Sequence, residues 1–426
     1  MRILMVGNGG REHALLWKLR RDAPSADLRI TRGNGGTRDL AGTIDLDPTD
    51  VGAVAAWADA EDVDLVVVGP EAPLAAGLVD ALDQRGVPAF GPTAAAAEIE
   101  ASKAFSKDVM REAGVPTADY RTFTDAGAAT AYIREQGAPI VVKASGLAAG
   151  KGAIVCDTAA QALDAVSEMM QDRAFGKAGD TVVIEEFMTG EELSVFALTD
   201  GRDVALLQPS QDHKQVGEGD TGPNTGGMGA YSPVSIVDET LLERVREEIL
   251  LPTLDELRRR DRPFRGLLYA GLMLTDEGPK VVEFNGRFGD PETQAVLPLL
   301  ASSLLEPMEA IAGGGSVAGL EPDFRTGAAV TTVLASGGYP GSYEKGKPVT
   351  VPEAIERSDD VLVFHAGTTR RNGRLVTDGG RVLGVTGLGS DFRTAADRSR
   401  DAAAAIEFPD KQYRTDIGWR ELHRLS

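Results

Sequence analysis

Four short apolar runs, three of them closed by glycine or by Gly-Pro and all set among helix-like stretches, constrain this chain more than any other feature of its sequence. Arg2 to Val6 runs into Gly7-Asn8-Gly9-Gly10, and Leu28 to Thr31 follows a candidate helix, Glu12 to Arg21. Asp64 to Val68 ends at Gly69-Pro70, and Val87 to Phe90 ends at Gly91-Pro92. Uninterrupted apolar strands are buried on both faces, and alternation with helices predicts an open parallel α/β unit. In such a unit ligands gather at the carboxyl ends of the strands, here Gly9-Gly10 and Gly69-Pro70-Glu71.

The same periodicity predicts helices over 51–60, 74–84 and 98–113. A compact unit then spans about 118–187: strand 140–143, a glycine-rich loop 145–152, strand 153–156, helix 159–170 and strand 181–185. A long polar loop is expected at 211–232 and a helix at 239–260. Beyond 326 the pattern turns β-rich and ends in a helix over 394–406. The fold class is therefore α/β and α+β in several domains. At about 150 residues per domain, 426 residues allow two to four.

Composition narrows the function. With 44 Lys and Arg against 65 Asp and Glu, the net charge of −21 argues against coating nucleic acid. Anionic small ligands stay open, since local cations override a distant acidic surface. One cysteine, Cys156, builds neither an intrachain disulfide nor a cysteine zinc site. No export signal and no apolar run of membrane length is visible, so a cytoplasmic protein away from membranes is expected.

Five stretches carry chemistry. Gly7-Asn-Gly-Gly-Arg-Glu12 lacks the third glycine of a dinucleotide fingerprint, and Thr31-Arg32 stands where a ribose-binding acid belongs. Nicotinamide binding is thereby disfavoured, while successive amides at a helix start still suit a phosphate. Lys143 to Gly152 is not a Walker A loop, yet a strand-end lysine beside free loop amides makes a phosphate clamp. In 182–192, backbone groups beside Glu185, Glu186 and Phe187 can hold an adenine and a carboxylate a ribose; a solvated strand end is the plainer alternative. Glu283 and Asn285, two apart on one strand face, are hard ligands for Mg²⁺, and Arg287 can fork onto a phosphoryl oxygen. His213, in the polar loop, is either an acid–base group or a hydrogen-bonding one.

With these residues in view, the chain resembles the phosphoribosylamine–glycine ligase family of the ATP-grasp superfamily. Seven segments carry the resemblance in order: 7–13, 69–74, 143–152, 211–214, 222–231, 287–294 and 363–368. It implies an N-terminal α/β domain (1–100) for phosphoribosylamine, an ATP-grasp core (101–325) with an inserted lid (about 118–187), and a small β-rich domain (326–426). It implies ATP as substrate with Mg²⁺ or Mn²⁺, and glycine and 5-phosphoribosylamine as the other partners of a monomer.

By the same resemblance Glu283 and Asn285 hold the metal. Lys103, Lys143, Gly150 and Lys151 meet the nucleotide phosphates, Glu185, Glu186 and Phe187 the adenine, and Glu192 the ribose. Gly9, Gly10, Pro70, Glu71, Lys214, Gly226, Gly227, Asp290, Pro291 and Glu292 line the substrates. Lys143, Arg287, Asp212 and His213 stand at the reacting centre, and the 145–152 loop closes over it. Ser145, Gln215 and Gly286 depart from the residues usual there, Asp, Arg and Cys. The named cations are expected to form one positive cleft inside a negative shell.

Overall fold

The four apolar runs of the first hundred residues pair, with an additional edge strand Gly42–Ile44 that the sequence pattern did not show, as a five-stranded sheet in the order Gly42–Ile44, Asp27–Thr31, Arg2–Val6, Leu65–Val68, Ala89–Phe90. Every pairing is parallel. Alternate residues of each strand face opposite layers. Ile3, Met5 and Val67 pack with Leu15, Leu16 and Leu19, whereas Leu4, Val6 and Val66 pack with Val54, Ala58, Leu78 and Leu82. Strand order reverses between Arg2–Val6 and Leu65–Val68, so the turns after them splay apart and open a crevice. The computed structural model from which this is read describes residues 1–148 and 152–425.

Two expected helices are each broken in two. The stretch at 74–84 is Glu71–Ala75 and Leu78–Asp83, divided by Gly77 at φ 85°, a left-handed conformation that glycine adopts without strain. The stretch at 98–113 is Ala94–Ala101 and Lys103–Ala113. Ser102 starts the second helix by accepting the Phe105 amide at 3.2 Å, which places Lys103 on its first turn.

The unit that follows is a four-stranded antiparallel sheet, ordered Tyr120–Phe123, Val182–Glu186, Ile140–Ala144, Ala153–Cys156. Helices Ala126–Gln136 and Ala159–Val166 cover it through Ala129, Ile133, Ala162 and Val166. A second antiparallel sheet joins Val204–Leu206, Glu191–Thr199, Gly266–Thr275 and Gly278–Asn285. In its last pairing Gly271 faces Glu283 but Leu272 faces Val281, so Val282 is an extra, bulged residue.

The 211–232 segment is not a loop. It forms the hairpin Gln215–Gly217 with Thr221–Asn224, flanked by strands Gln211–Asp212 and Gly229–Ser232. Those two flanking strands join Ala328–Ser336, Arg381–Gly389 and Val361–His365 in one sheet. The sheet of the last hundred residues thus borrows two strands from the middle of the chain. Helix Phe392–Ala405 closes it over Leu334, Val385 and Ala403. Among the described residues no helix is long and apolar enough to cross a membrane.

Candidate functional site

The bulge at Val282 organises one half of the site. It leaves the Val282 carbonyl unpaired in the ladder, and the Lys143 ammonium takes it at 3.1 Å. Lys143 stands near the end of Ile140–Ala144. In the adjacent strand Val183 is opposite Lys143 and Glu185 opposite Val141, so Lys143 and Glu185 share a face as diagonal neighbours. Their groups meet at 2.8 Å through Glu185 Oε2. Lys107 Nζ lies 3.2 Å from the same oxygen. All three residues are at most 5% exposed, and Glu185 Oε1 has no hydrogen-bond partner among the described residues. Burial lowers the Lys107 pKa to about 8 and lowers that of Lys103, whose ammonium reaches the Gly146 carbonyl at 3.4 Å.

Glu283 and Asn285 follow the bulge on the same strand face. Burial opposes ionisation of Glu283, but Lys214, Lys103, Lys143 and Arg287 outweigh it and hold its carboxyl below the usual range. Among the described residues its carboxylate makes no hydrogen bond and no ion pair, and Asn285 Oδ1 accepts only a 3.3 Å bond from Arg287. No group of three or more His, Cys, Asp or Glu is arranged for a metal among those residues. One free carboxylate and one amide oxygen fit a Mg²⁺ that keeps waters and phosphate oxygens as its other ligands.

The other half is the N-terminal crevice, and Arg287 connects the two. Its guanidinium lies 3.0 Å from Glu100, 3.5 Å from Glu71 and 3.1 Å from the Phe288 carbonyl. Burial opposes the charge on Glu71, yet Arg287 and Arg11 keep its carboxyl below the ordinary range; at Glu100 burial wins and the pKa is raised. Glu12 explains the missing third glycine. Its carboxylate accepts the Gly9 amide and the Arg11 guanidinium, both at 2.6 Å, and fills the space a Cβ at Gly7 or Gly69 would need. The Gly9 amide is therefore already engaged. Gly10 lies against the Gln294 amide, a Cβ there falling 2.7 Å from Nε2. Pro70 leads into Glu71–Ala75 and packs on Gly7.

Asp290 sits where arginines converge. Its carboxylate is 3.1 Å from Arg381 and accepts the Gln294 amide at 2.7 Å. Burial is outweighed by Arg381 and Arg11, so its pKa is lowered. Arg381 also donates to the carbonyls of Asp290 and Gly226, and the Tyr339 hydroxyl accepts the Gly226 amide at 3.1 Å. Gly227, at φ 106°, lies flat on Pro291, where no side chain fits. Glu292 is buried and accepts the Tyr269 hydroxyl at 3.1 Å.

Asp212, His213 and Lys214 do not act as one group. Asp212 and Lys214 face the cleft, 3.3 Å apart, and Lys214 pairs also with Glu192. Burial, with Glu292 and Glu192 nearby and Lys214 opposing, raises the Asp212 pKa to about 7. His213 points the other way. Its Nε2 accepts the Gly418 amide at 2.9 Å and its Nδ1 faces Asp220 at 3.5 Å, so one ring nitrogen is spent on the C-terminal segment and the other on the turn of the hairpin. Of its two sequence readings, the geometry is that of the hydrogen-bonding one.

Glu186 is exposed at the rim, with Asp119 and Lys280 beside it, and Phe187 is 40% exposed. Gly150 and Lys151 lie outside the described residues. At the departures, Ser145 accepts the Ala104 amide at 3.1 Å, the Gln215 carbonyl accepts from Arg414, and the Gly286 amide donates to Glu100 at 2.7 Å.

Lys103, Lys143, Lys214 and Arg287 are thus gathered around Glu283 rather than scattered. The cleft is nevertheless not simply positive. Glu71, Glu100, Glu185, Glu192 and Asp212 interleave with the cations, so the field is one of shared pairs. Four charged groups in contact with the candidate site escaped sequence reading: Lys107, Arg11, Glu100 and Arg381. Lys107 had a signal, since i and i+4 on a helix share a face with Lys103. Arg381 had none, being one of several arginines in a β-rich stretch.

Comparison with known proteins places this geometry. Family models of phosphoribosylglycinamide synthetase match along the chain: the N domain over residues 1–100, the ATP-grasp (A) domain over 101–293 and the C domain over 329–420. A phosphoribosylamine–glycine ligase from Rhodopirellula baltica is 48% identical over 99% of this chain and 98% of its own. The crystal structure of a phosphoribosylamine–glycine ligase from Thermotoga maritima superposes with a TM-score of 0.84 at 32% identity, covering 98% of this chain and all of the other. The biotin carboxylase domain of 2-oxoglutarate carboxylase from Hydrogenobacter thermophilus, solved with MgADP, shares the fold at a TM-score of 0.74 and 16% identity, over 97% of this chain and 92% of that one. With three consecutive family domains and full-length relatives near half identity, the chain belongs to the phosphoribosylglycinamide synthetase family.

Proposed function

We propose that this chain joins glycine to 5-phosphoribosylamine at the expense of ATP, giving glycinamide ribonucleotide, ADP and phosphate, the second step of de novo purine synthesis. The observation that carries the reading is the continuous strand and turn Glu283-x-Asn285-x-Arg287. It lies at the seam between a lysine-lined cleft and the crevice of the N-terminal sheet.

The chemistry starts from an obstacle: a carboxylate does not accept an amine, because oxide would have to leave. A glycine carboxylate oxygen attacks the γ-phosphorus of ATP, and the bond to ADP breaks. The amine nitrogen of phosphoribosylamine then attacks the carbonyl carbon of glycyl phosphate, inorganic phosphate departs and the nitrogen gives up a proton. Such transfers need alignment and charge neutralisation more than covalent help. Lys103 and Lys143 supply point charges to the phosphates, and Arg287 forks across the reacting centre. Glu283 and Asn285 would hold Mg²⁺ or Mn²⁺, which supplies charge neutralisation on the phosphates when bound. Glu185 to Phe187 flank the adenine and Glu192 the ribose, with Lys214 released from Glu192 when nucleotide enters. Gly10, Pro70 and Glu71 border the sugar phosphate; Asp290, Pro291, Glu292, Gly226 and Gly227 form the wall where glycine and the amine meet. Asp212 orients Lys214.

We further propose the division 1–100, 101–325 with a lid over 118–187, and 326–426, in a monomer working in the cytoplasm. The test is ADP release with glycine, with and without phosphoribosylamine generated in place. Release that requires both substrates is expected. Release with a different acid or amine, and none with this pair, would defeat the reading.

A further inference from the structure

Lys107 has no part in the reading above, yet it is 2% exposed and its ammonium lies 3.2 Å from Glu185 Oε2. Two ammonium groups therefore share one carboxylate oxygen, with Lys143 at 2.8 Å. Their remaining contacts differ. Lys107 is tied to its place by Thr117 Oγ1 at 2.7 Å, by the Ala118 carbonyl at 3.4 Å and by the Tyr120 ring, 5.3 Å from its Nζ. Among the described residues Lys143 has only Glu185 and the Val282 carbonyl.

This arrangement holds one cation more than Glu185 needs. A buried carboxylate stripped of its sole partner is costly, because nothing replaces the lost hydration. If Lys143 were that sole partner, its departure toward a phosphate would carry the whole cost. With Lys107 fixed in place, Glu185 keeps a partner when Lys143 leaves.

We propose that Lys107 is a positioning residue for nucleotide binding, the resident counter-ion of Glu185 that frees Lys143 for the phosphates of ATP. This rests on the reading of Lys143 as a phosphate ligand.

The experiment is a double-mutant cycle on the full chain, read as the KM for ATP at saturating glycine and phosphoribosylamine. Lys107→Met raises KM by about tenfold in the wild-type background and by less than about twofold in Glu185→Gln, where no carboxylate retains Lys143. Lys107→Arg stays within about threefold of wild type, as the charge is kept. An equal rise in both backgrounds, as expected if Lys107 only supports the fold, overturns the inference. Should the methionine variant not fold, Lys107→Gln runs the same cycle. Lys143→Met separates the two levels: an unchanged KM there removes the phosphate reading, and this inference with it. A raised KM there with an additive cycle removes the inference alone.

Discussion

The two halves of the site are built from different cations. On one side Lys107 and Lys143 share Glu185, Lys143 also reaches the bulged Val282 carbonyl, and Lys103 reaches the Gly146 carbonyl, so that apart from the anchored Lys107 each ammonium has few contacts. On the other, Arg287 and Arg381 fork onto two or more groups at once: Glu71, Glu100 and Phe288 for the first, Asp290 and Gly226 for the second. An ammonium is a point charge on a flexible stem, whereas a guanidinium is a rigid planar fork. The lysine side can hand its charges to a ligand that enters and leaves with each turnover. The arginine side fixes backbone and carboxylates in place.

Glu283 stands where the two meet and feels Lys214, Lys103, Lys143 and Arg287 together. Glu283→Ala should have the largest effect, lowering kcat by about 10³-fold or more while leaving a cooperative unfolding transition. Near-normal turnover at saturating Mg²⁺ would end its assignment as a metal ligand. Next is Arg287→Lys, which keeps the charge and loses the fork. The expected loss in kcat/KM is about 10²-fold, and a loss under about threefold would erase the contrast between the two sides.

Asp212 probes the charge balance between them. Its folded pKa, about 7, lies above the unfolded value, so the proton it holds stabilises the fold below the unfolded pKa, and that advantage is lost as pH rises through 7. Asp212→Asn should therefore gain Tm at pH 8 relative to pH 5, measured against the parent; an unchanged difference would mean that Lys214 keeps Asp212 ionised throughout. The smallest effect belongs to Cys156→Ser, a buried thiol whose cross-strand neighbour is Ile140 rather than Lys143. Burial raises the pKa of this thiol, and turnover should stay within about twofold; a folded but inactive variant would reveal a thiol role outside both halves.

The parallel sheet was legible because four of its strands are short apolar runs, three of which stop at glycine; the exposed edge strand Gly42–Ile44 carries no such run. The breaks at Gly77 and Ser102 were not, since the apolar spacing continues across them and one left-handed glycine or one capping serine decides. The 211–232 segment reads as loop because its hairpin strands carry Gly, Pro and Asn, and the strand next to its flanking Gly229–Ser232 lies far along the chain. Glu283, Asn285 and Arg287 were legible from alternation alone. The pairing of Lys107 with Glu185 was not, being an encounter of residues distant in sequence. His213 shows the limit of a motif: three consecutive residues, two facing the cleft and one facing Gly418.

The borrowed strands have a consequence for how the chain is made. Gly229–Ser232 emerges during synthesis about a hundred residues before Ala328–Ser336, the neighbour it pairs with. At translation rates of about 5–20 residues per second it waits roughly 5–20 seconds with an open edge. Unpaired edges are templates for the wrong partner. The polar, glycine- and proline-rich character of 211–232, so poor a signal for a strand, is what keeps that edge unattractive until its neighbour arrives.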